Sequence, residues 1–387
     1  VNRETAHLRA GDLRGASRLA IDATLGLTNL VENLHHNILR TPGPLGTPTE
    51  LPAGGVTGLV YRSIRGVTRL VGGSLDALLG QVNKLLPPAT AAPSAEREAV
   101  LAALNGVLGD HLAATGNPLA IPMQLCQADG QPLAAPLPPG TRVLLMVHGL
   151  CMNPLQWRRK GHGHGAVLAA EGGFMPLYLH YNSGLPIATN GRLLADRLQA
   201  LQALQAGELV ILGHSMGGLV ARSACHQGQA RGDRWPQRLR AMVFLGTPHH
   251  GAPLERGGHG IDLLLGASPY TAAFARLGKL RSAGITDLRH GHLLGDDSAV
   301  PLPAGVACYA VAGALGPKPG ALKEKLLGDG LVPLDSALGR HRRSSRRLQF
   351  AADRQWVGQG INHLDLLSSP EVLTQLRRWL IAPAGGG

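Results

Sequence analysis

The sequence predicts an α/β protein with a mostly parallel, doubly wound sheet, an N-terminal helical extension and an insertion inside the core. Three observations predict it. From about residue 120, short apolar runs alternate with helical stretches, as parallel strands joined by crossover helices require. The first 118 residues instead repeat apolar positions every three or four residues, the period of amphipathic helices. Finally, 387 residues with 44% apolar and 16% charged side chains are enough for one large domain with additions.

In order, Leu19, Ala23, Leu27, Leu30, Val31, Leu34 and Ile38 mark a first helix within residues 8 to 38. A Pro- and Gly-rich loop, Thr41 to Gly55, follows. Val56, Leu59, Val60, Ile64, Val67, Leu70 and Val71 then resume the helical pattern, which Gly72-Gly73 interrupts and Leu75 to Leu86 takes up again. A third helix is expected over Ala95 to Ala114, entered from Ser94 as N-cap and closed near Gly116. The core is expected to open with a hairpin at Met123 to Gln127 and the Asp129-Gly130 turn. Strands are expected at Arg142 to Val147, Met175 to His180, Leu209 to Leu212, Ala241 to Leu245, Val306 to Val311 and Leu348 to Ala351. Helices are expected at Arg192 to Gln205, Gly217 to Gln227 and Pro370 to Leu380. This divides the chain into a helical extension over 1–118 and an α/β domain over 119–387, with an insertion at 251–300.

The net charge of +12 raises nucleic acid, an anionic membrane surface and an acidic polymer as partners. Only six of the 37 basic residues are Lys, however, and an Arg excess beside abundant Ala, Gly, Leu and Pro is also what codon bias produces. Arg340-His-Arg-Arg-Ser-Ser-Arg-Arg347 has no interleaved aromatics, so it reads as a solvated loop or electrostatic patch, and nucleic acid is not expected as a partner. An anionic membrane or polymer surface stays open. Cys126, Cys151, Cys225 and Cys308 form no C-x-x-C motif; Cys126, Cys225 and Cys308 lie in apolar runs, where buried free thiols are expected. No leader is visible at Val1 to Ala10, so the cytoplasm is favoured unless a leader was removed. Gly172 to Gly191, as long as any charge-free stretch, is broken by Pro, Asn, Ser and Gly and is no membrane span.

The chemistry concentrates in Leu209-Val-Ile-Leu-Gly213-His214-Ser215-Met216-Gly217-Gly218. This is G-x-S-x-G directly after an apolar strand and directly before a helix, where a sharp turn projects the serine from the carboxyl edge of the sheet. Small neighbours at Gly213 and Gly217 relieve the crowding of that turn. A serine hydroxyl needs a base to take its proton and N–H donors for the charge that develops. The expected donors are the amide of Met216, at the helix start, and that of Leu150, in the His148-Gly149-Leu150 loop after an early strand. His148 and His214 are expected to be structural.

Gly213-His-Ser-Met-Gly-Gly, His148-Gly149-Leu150 and Leu245-Gly-Thr-Pro-His-His-Gly-Ala-Pro resemble the lipase and esterase branch of the α/β-hydrolase superfamily, and most of all bacterial proteins akin to GPI inositol-deacylase (PGAP-type) hydrolases. The resemblance spans about residues 120 to 381 and leaves out the N-terminal helices. It implies the order Ser, then acid, then His. Gly328-Asp329-Gly330-Leu-Val-Pro333 resembles the acid loop of related lipases and makes Asp329 the expected acid, with Asp335 and Asp353 as rivals. Asn362-His363-Leu364 makes His363 the expected base.

Relatives place a cap where residues 251–300 stand here. Ile261, Leu263, Leu264, Leu265, Phe274 and Leu277 suggest an apolar lid over an acyl pocket, with Leu263, Leu264 and Leu265 on the substrate. The N-terminal helices would add to that cover, bind a surface, or buttress the sheet. Gly161-His162-Gly-His164-Gly and His249-His250 lack a third ligand at a recognisable spacing, so no metal site and no cofactor is expected. The expectation is a serine esterase or lipase acting on small or lipid-like esters with medium or longer acyl chains. Two alternatives remain: a polyester depolymerase of the same fold, and a non-catalytic basic protein that binds membrane surfaces.

Overall fold

The computed structural model describes residues 11–22, 25, 69, 73, 76, 95–252, 282–315 and 328–381. Seven strands form one sheet: β1 (Gln124–Cys126), β2 (Arg142–Val147), β3 (Met175–His180), β4 (Glu208–His214), β5 (Leu239–Leu245), β6 (Ala307–Ala314) and β7 (Gln355–Gln359). Their order is β1-β3-β2-β4-β5-β6-β7, and only β1 runs antiparallel to its neighbour. Among the described residues from 95 onwards, the helices are α1 (Ala95–Ala114), α2 (His164–Gly172), α3 (Ile187–Ala200), α4 (Met216–Arg231), α5 (Ala283–His290), α6 (Leu334–Ala337) and α7 (Pro370–Leu380). This is the α/β-hydrolase arrangement.

The strands read as unbroken apolar runs because both faces of the sheet are covered. Along β2, Val143, Leu145 and Val147 join the core made with Ile187, Leu194 and Leu198 of α3 and Leu219 and Val220 of α4. Leu144 and Met146, between them, join the opposite core with Leu168 of α2 and Val372, Leu373 and Leu376 of α7. Each core is the sum of alternate side chains, so a period of two runs beneath the continuous hydrophobicity. Order reverses between β2 and β4. The chain leaves β2 towards β3 on one side and β4 towards β5 on the other, so the loops after β2 and β4 flank a crevice at the carboxyl edge.

The last strand differs from expectation. Leu348 to Ala351 is not a strand; Phe350 packs on Phe244 and His249 from an irregular segment, with ring centroids 5.9 and 5.4 Å away, and β7 follows at Gln355–Gln359. An edge strand with one partner carries a polar sequence, so the apolar run just before it was the stronger but misleading signal. The helix expected over Arg192 to Gln205 begins earlier, at Ile187, and ends at Ala200.

The chain divides into two compact units, residues 1–91 with 112–119, and residues 92–111 with 120–387. In the first, residues 11–22 are helical and Arg14 and Arg18 both pair with Asp76. In the second, α1 up to His111 is fitted to the sheet's loops. Asn105 accepts from the Ile121 amide at 2.9 Å, Asn182 donates to the Gly109 carbonyl at 2.8 Å, and Ser282 donates to the Gly106 carbonyl at 2.6 Å. Within the expected lid, Ser282 also caps α5, which buries Ile285 and Leu288. Residues 253–281, and with them Leu263, Leu264 and Leu265, lie outside the described residues. All four cysteines are buried and free, and burial pushes their thiols up to about 12. Among the described residues no helix is long and apolar enough to cross a membrane.

Candidate active site

Ser215 stands between the middle strand of the sheet and α4, at φ 54° and ψ −125°. A positive φ forces the Cβ of a non-glycine residue against its own backbone, a cost of about 1–3 kcal/mol that persists only where the surroundings impose it. Here the amide of Ser215 donates to the Leu245 carbonyl at 2.9 Å and its carbonyl accepts from the Gly218 amide at 3.1 Å, which tie the turn to β5 and to the first turn of α4. A Cβ on Gly217 would collide with the carbonyl oxygens of Val147 and His148, so the motif's last glycine lets α4 start against the end of β2. The Ser215 side chain caps nothing.

The loop after β2 closes on this turn. A Cβ on Gly149 would stand 3.0 Å from that of Ser215, a tight contact that the glycine relieves. His148 donates from Nδ1 to the Gly149 carbonyl at 2.9 Å and stacks on Tyr181 at 4.4 Å, while the Tyr181 hydroxyl donates to the His148 carbonyl at 2.8 Å. Cys151 is held at φ 57°, and its amide donates to Ser183 Oγ at 3.0 Å. Leu150 therefore follows Gly149, which approaches Ser215, and precedes the braced Cys151. Met216 is the first residue of α4, whose leading amides have no acceptor within the helix.

Asp329 and His363, 34 positions apart, form a buried pair. Each is 1% exposed, and Nδ1 of His363 lies 2.7 Å from Oδ2 of Asp329. The other carboxylate oxygen accepts from the amides of Leu331 and Val332 at 3.0 and 2.8 Å, and the His363 amide donates to the Asp329 carbonyl at 3.0 Å. With Asp329 as acceptor, Nδ1 carries the ring proton and Nε2 is left as the free lone pair; Nε2 is buried without a hydrogen-bond partner. The rivals lie elsewhere. Asp335 is an exposed residue of α6 near Arg340, and Asp353 is exposed in a short turn before β7.

Two residues of this neighbourhood escaped the reading of the sequence as parts of it. Gly246, at φ 57°, ends β5 beside the pair, and a Cβ there would come within 2.9 Å of Asp329 Oδ2 and 3.0 Å of His363 Nδ1. Its signal was the Leu245-Gly-Thr-Pro stretch, which showed as a resemblance without its physical reason. His214 donates from Nε2 to the His363 carbonyl at 3.0 Å, with ring centroids 4.6 Å apart, so the residue before Ser215 anchors the loop that bears His363. Burial pushes its imidazole well below the usual histidine range, which keeps it neutral.

Two expectations follow from this geometry. Gly246→Ala should cost about 1 kcal/mol for placing a side chain at positive φ, and by displacing the Asp329–His363 pair should lower turnover by about a hundredfold. Wild-type kinetics in a folded Gly246→Ala protein would mean the pair is not what turnover depends on. Asp329→Asn should lower kcat by about 10⁴-fold through loss of the tautomer, whereas Asp335→Asn and Asp353→Asn should leave kcat near wild type. Steady-state kinetics of the three variants reads the difference, and the opposite pattern would reassign the acid.

A model of the PGAP1-like alpha/beta domain family matches residues 139–297. Among curated proteins none matches the sequence. Among solved structures the chain is similar to the Bacillus licheniformis lipase BlEst2 in mature form, at 18% identity over 67% of this chain and 98% of that one, with a TM-score of 0.43. It is similar also to the lin2722 gene product of Listeria innocua, at 15% identity over 64% and 96% of the two chains with a TM-score of 0.39. A third is YbtT, the type II thioesterase of the yersiniabactin pathway, at 17% identity over 64% and 95% with a TM-score of 0.40.

Proposed function

From the premise that this chain is an α/β-hydrolase by fold, we propose that it is a serine-dependent carboxylic ester hydrolase that works through an acyl-enzyme. The observation that carries the proposal is the strained turn at Ser215, a non-glycine residue at positive φ where the middle strand meets a helix. Strain of this kind is retained at sites whose chemistry needs it. In this reading Ser215 Oγ attacks the ester carbonyl as His363 Nε2 takes its proton. The amides of Leu150 and Met216 hold the oxyanion. Asp329 keeps the imidazole in one tautomer and stabilises it when charged. The imidazolium then protonates the departing alcohol, and the neutral ring activates water to release the acid. No cofactor enters these steps.

The test is hydrolysis of p-nitrophenyl esters together with labelling by a fluorophosphonate. Stoichiometric labelling that maps to Ser215, with loss of hydrolysis, supports the mechanism; a folded protein that hydrolyses no ester and takes no label is the non-catalytic alternative.

Chain length is read by the same assay. Each methylene buried in an acyl groove is worth about 0.8 kcal/mol, or roughly fourfold in kcat/KM. Medium and longer acyl chains should therefore exceed acetate until the groove is full. Replacing Leu263, Leu264 and Leu265 with Ser should flatten the profile while acetate hydrolysis is kept. If acetate is the best substrate of the wild type, there is no acyl groove.

A further inference from the structure

On the α4 side of the sheet lies a cavity of about 330 Å³, and Ser215 is not among the residues that line it. Its inner wall includes Arg222 of α4 and His249 of the loop after β5; its outer wall includes His341, Arg346 and Arg347 of the arginine-rich loop to which neither the fold nor the proposed mechanism gives a role. Arg222 and His249 are each 3% exposed. Arg222 Nη2 donates to the Val300 carbonyl, and Nη1 lies 3.2 Å from His249 Nδ1. A guanidinium only donates, so His249 Nδ1 accepts and its ring proton sits on Nε2. Arg222 Nε and His249 Nε2 are buried and without partners. Among the described residues neither N–H group has an acceptor, and neither atom is itself exposed to the cavity.

The charge lacks a counter-ion as well. Among the described residues no carboxylate pairs with Arg222. Of the two aspartates on the cavity wall, Asp297 is held by Arg346, and Asp296 accepts from the Ser298 amide at 3.0 Å. Arg347 donates to the His341 carbonyl at 3.3 Å. Burial pulls Arg222 down only to about 10, so it stays charged at neutral pH. A buried, unpaired charge works against folding unless something compensates it, and a cavity beside the charge gives an anion a place.

We propose that this cavity is a binding site for a phosphoryl group, either free or borne on a larger ligand. Arginine and imidazole N–H groups from three chain segments surround a space of several water volumes. A tetrahedral oxyanion can accept from several directions at once, which a planar carboxylate does less well, and guanidinium groups match phosphate oxygens.

Binding of inorganic phosphate to the full chain, measured by calorimetry and by thermal unfolding at constant ionic strength in chloride, tests the site without reference to catalysis. The expected result is saturable one-to-one binding with a Tm that rises with phosphate. Arg222→Met should weaken binding by at least about fiftyfold, exposed Arg347→Ala by severalfold, and Arg378→Ala on α7 not at all. Arg347→Ala keeps the test open should Arg222→Met fail to fold. A second arm uses phosphatidylcholine vesicles with and without phosphatidic acid. Sedimentation only with phosphatidic acid, reversed by phosphate, assigns a lipid-borne group, whereas phosphate binding without sedimentation assigns a soluble one. No phosphate-dependent change, or equal losses in Arg222→Met and Arg378→Ala, overturns the proposal and leaves a water-filled cavity only.

Discussion

Ser215→Ala should lower kcat/KM for an ester substrate by about a millionfold while leaving the protein folded, because it removes the only atom that the proposed mechanism makes covalent. The oxyanion donors and the substrate site would remain, so a residual rate about 10³–10⁴ above that in water is expected. The fold should survive because Ser215 caps nothing and alanine meets the same backbone strain as serine. Ser215→Gly makes the distinction sharper. It should be equally inactive, yet more stable by about 1–2 kcal/mol, since glycine occupies φ 54° without a Cβ in the way. Activity assays and thermal melts on the two variants suffice. A Ser215→Ala protein that is folded and active would end the serine mechanism, and a Ser215→Gly protein no more stable than wild type would remove the strain from which the function is inferred.

Acid should unfold the protein steeply, well above the pH at which its carboxylates are protonated. Burial pushes His148 down to about 3, His164 and His180 to about 4, and His214 and His249 well below the usual histidine range. Several are held as neutral rings by their hydrogen-bond partners. His164 meets the Leu366 carbonyl at 3.0 Å, His214 meets that of His363, and His249 accepts from Arg222. In the unfolded chain each titrates near 6.5. Below that pH the unfolded state binds more protons than the folded one, so stability rises with pH, is fully present above about 6.5, and is lost as pH falls towards the folded values. Each ring favours unfolding about tenfold per pH unit, so by pH 5 His148, His164 and His180 together approach a factor of about 10⁴, and His214 and His249 act in the same direction. The denaturant midpoint should thus fall sharply between pH 7.5 and pH 5. A midpoint unchanged over that interval would mean that the buried histidines gain protons without loss of the fold.

How much of the protein was legible in its sequence depended on how local each feature is. The turn at Ser215 is contiguous: an apolar strand, a glycine, the serine, a glycine and a helix follow one another, and every contact that shapes the turn begins within those residues. Asp329 and His363 were legible only as members of two separate loops, through resemblance and chain order. The last strand was misplaced because Phe350, which gave the apolar signal, packs on the rings of Phe244 and His249 without joining the sheet. Arg222 appeared as one charge in a helical stretch, with nothing near it in sequence to say that it would be buried.

By itself the sequence determined strands β1 to β6 and helices α1, α4 and α7, because apolar runs bounded by turns and repeats of three and four residues are imposed by backbone geometry. It also determined where a strained serine would stand. Only the tertiary structure decided which carboxylate meets the imidazole. Asp329, Asp335 and Asp353 are chemically alike, but only Asp329 is drawn into the interior, where two amides hold one oxygen and His363 the other. Only the tertiary structure, too, revealed that Gly246 must lack a side chain, that His214 anchors the loop of His363, and that Arg222 lines a cavity with no carboxylate paired to it among the described residues. The reason is the same in each case. Contacts between residues tens of positions apart depend on how the chain crosses in space, and no periodicity or motif along the chain records the distance at which two side chains finally meet.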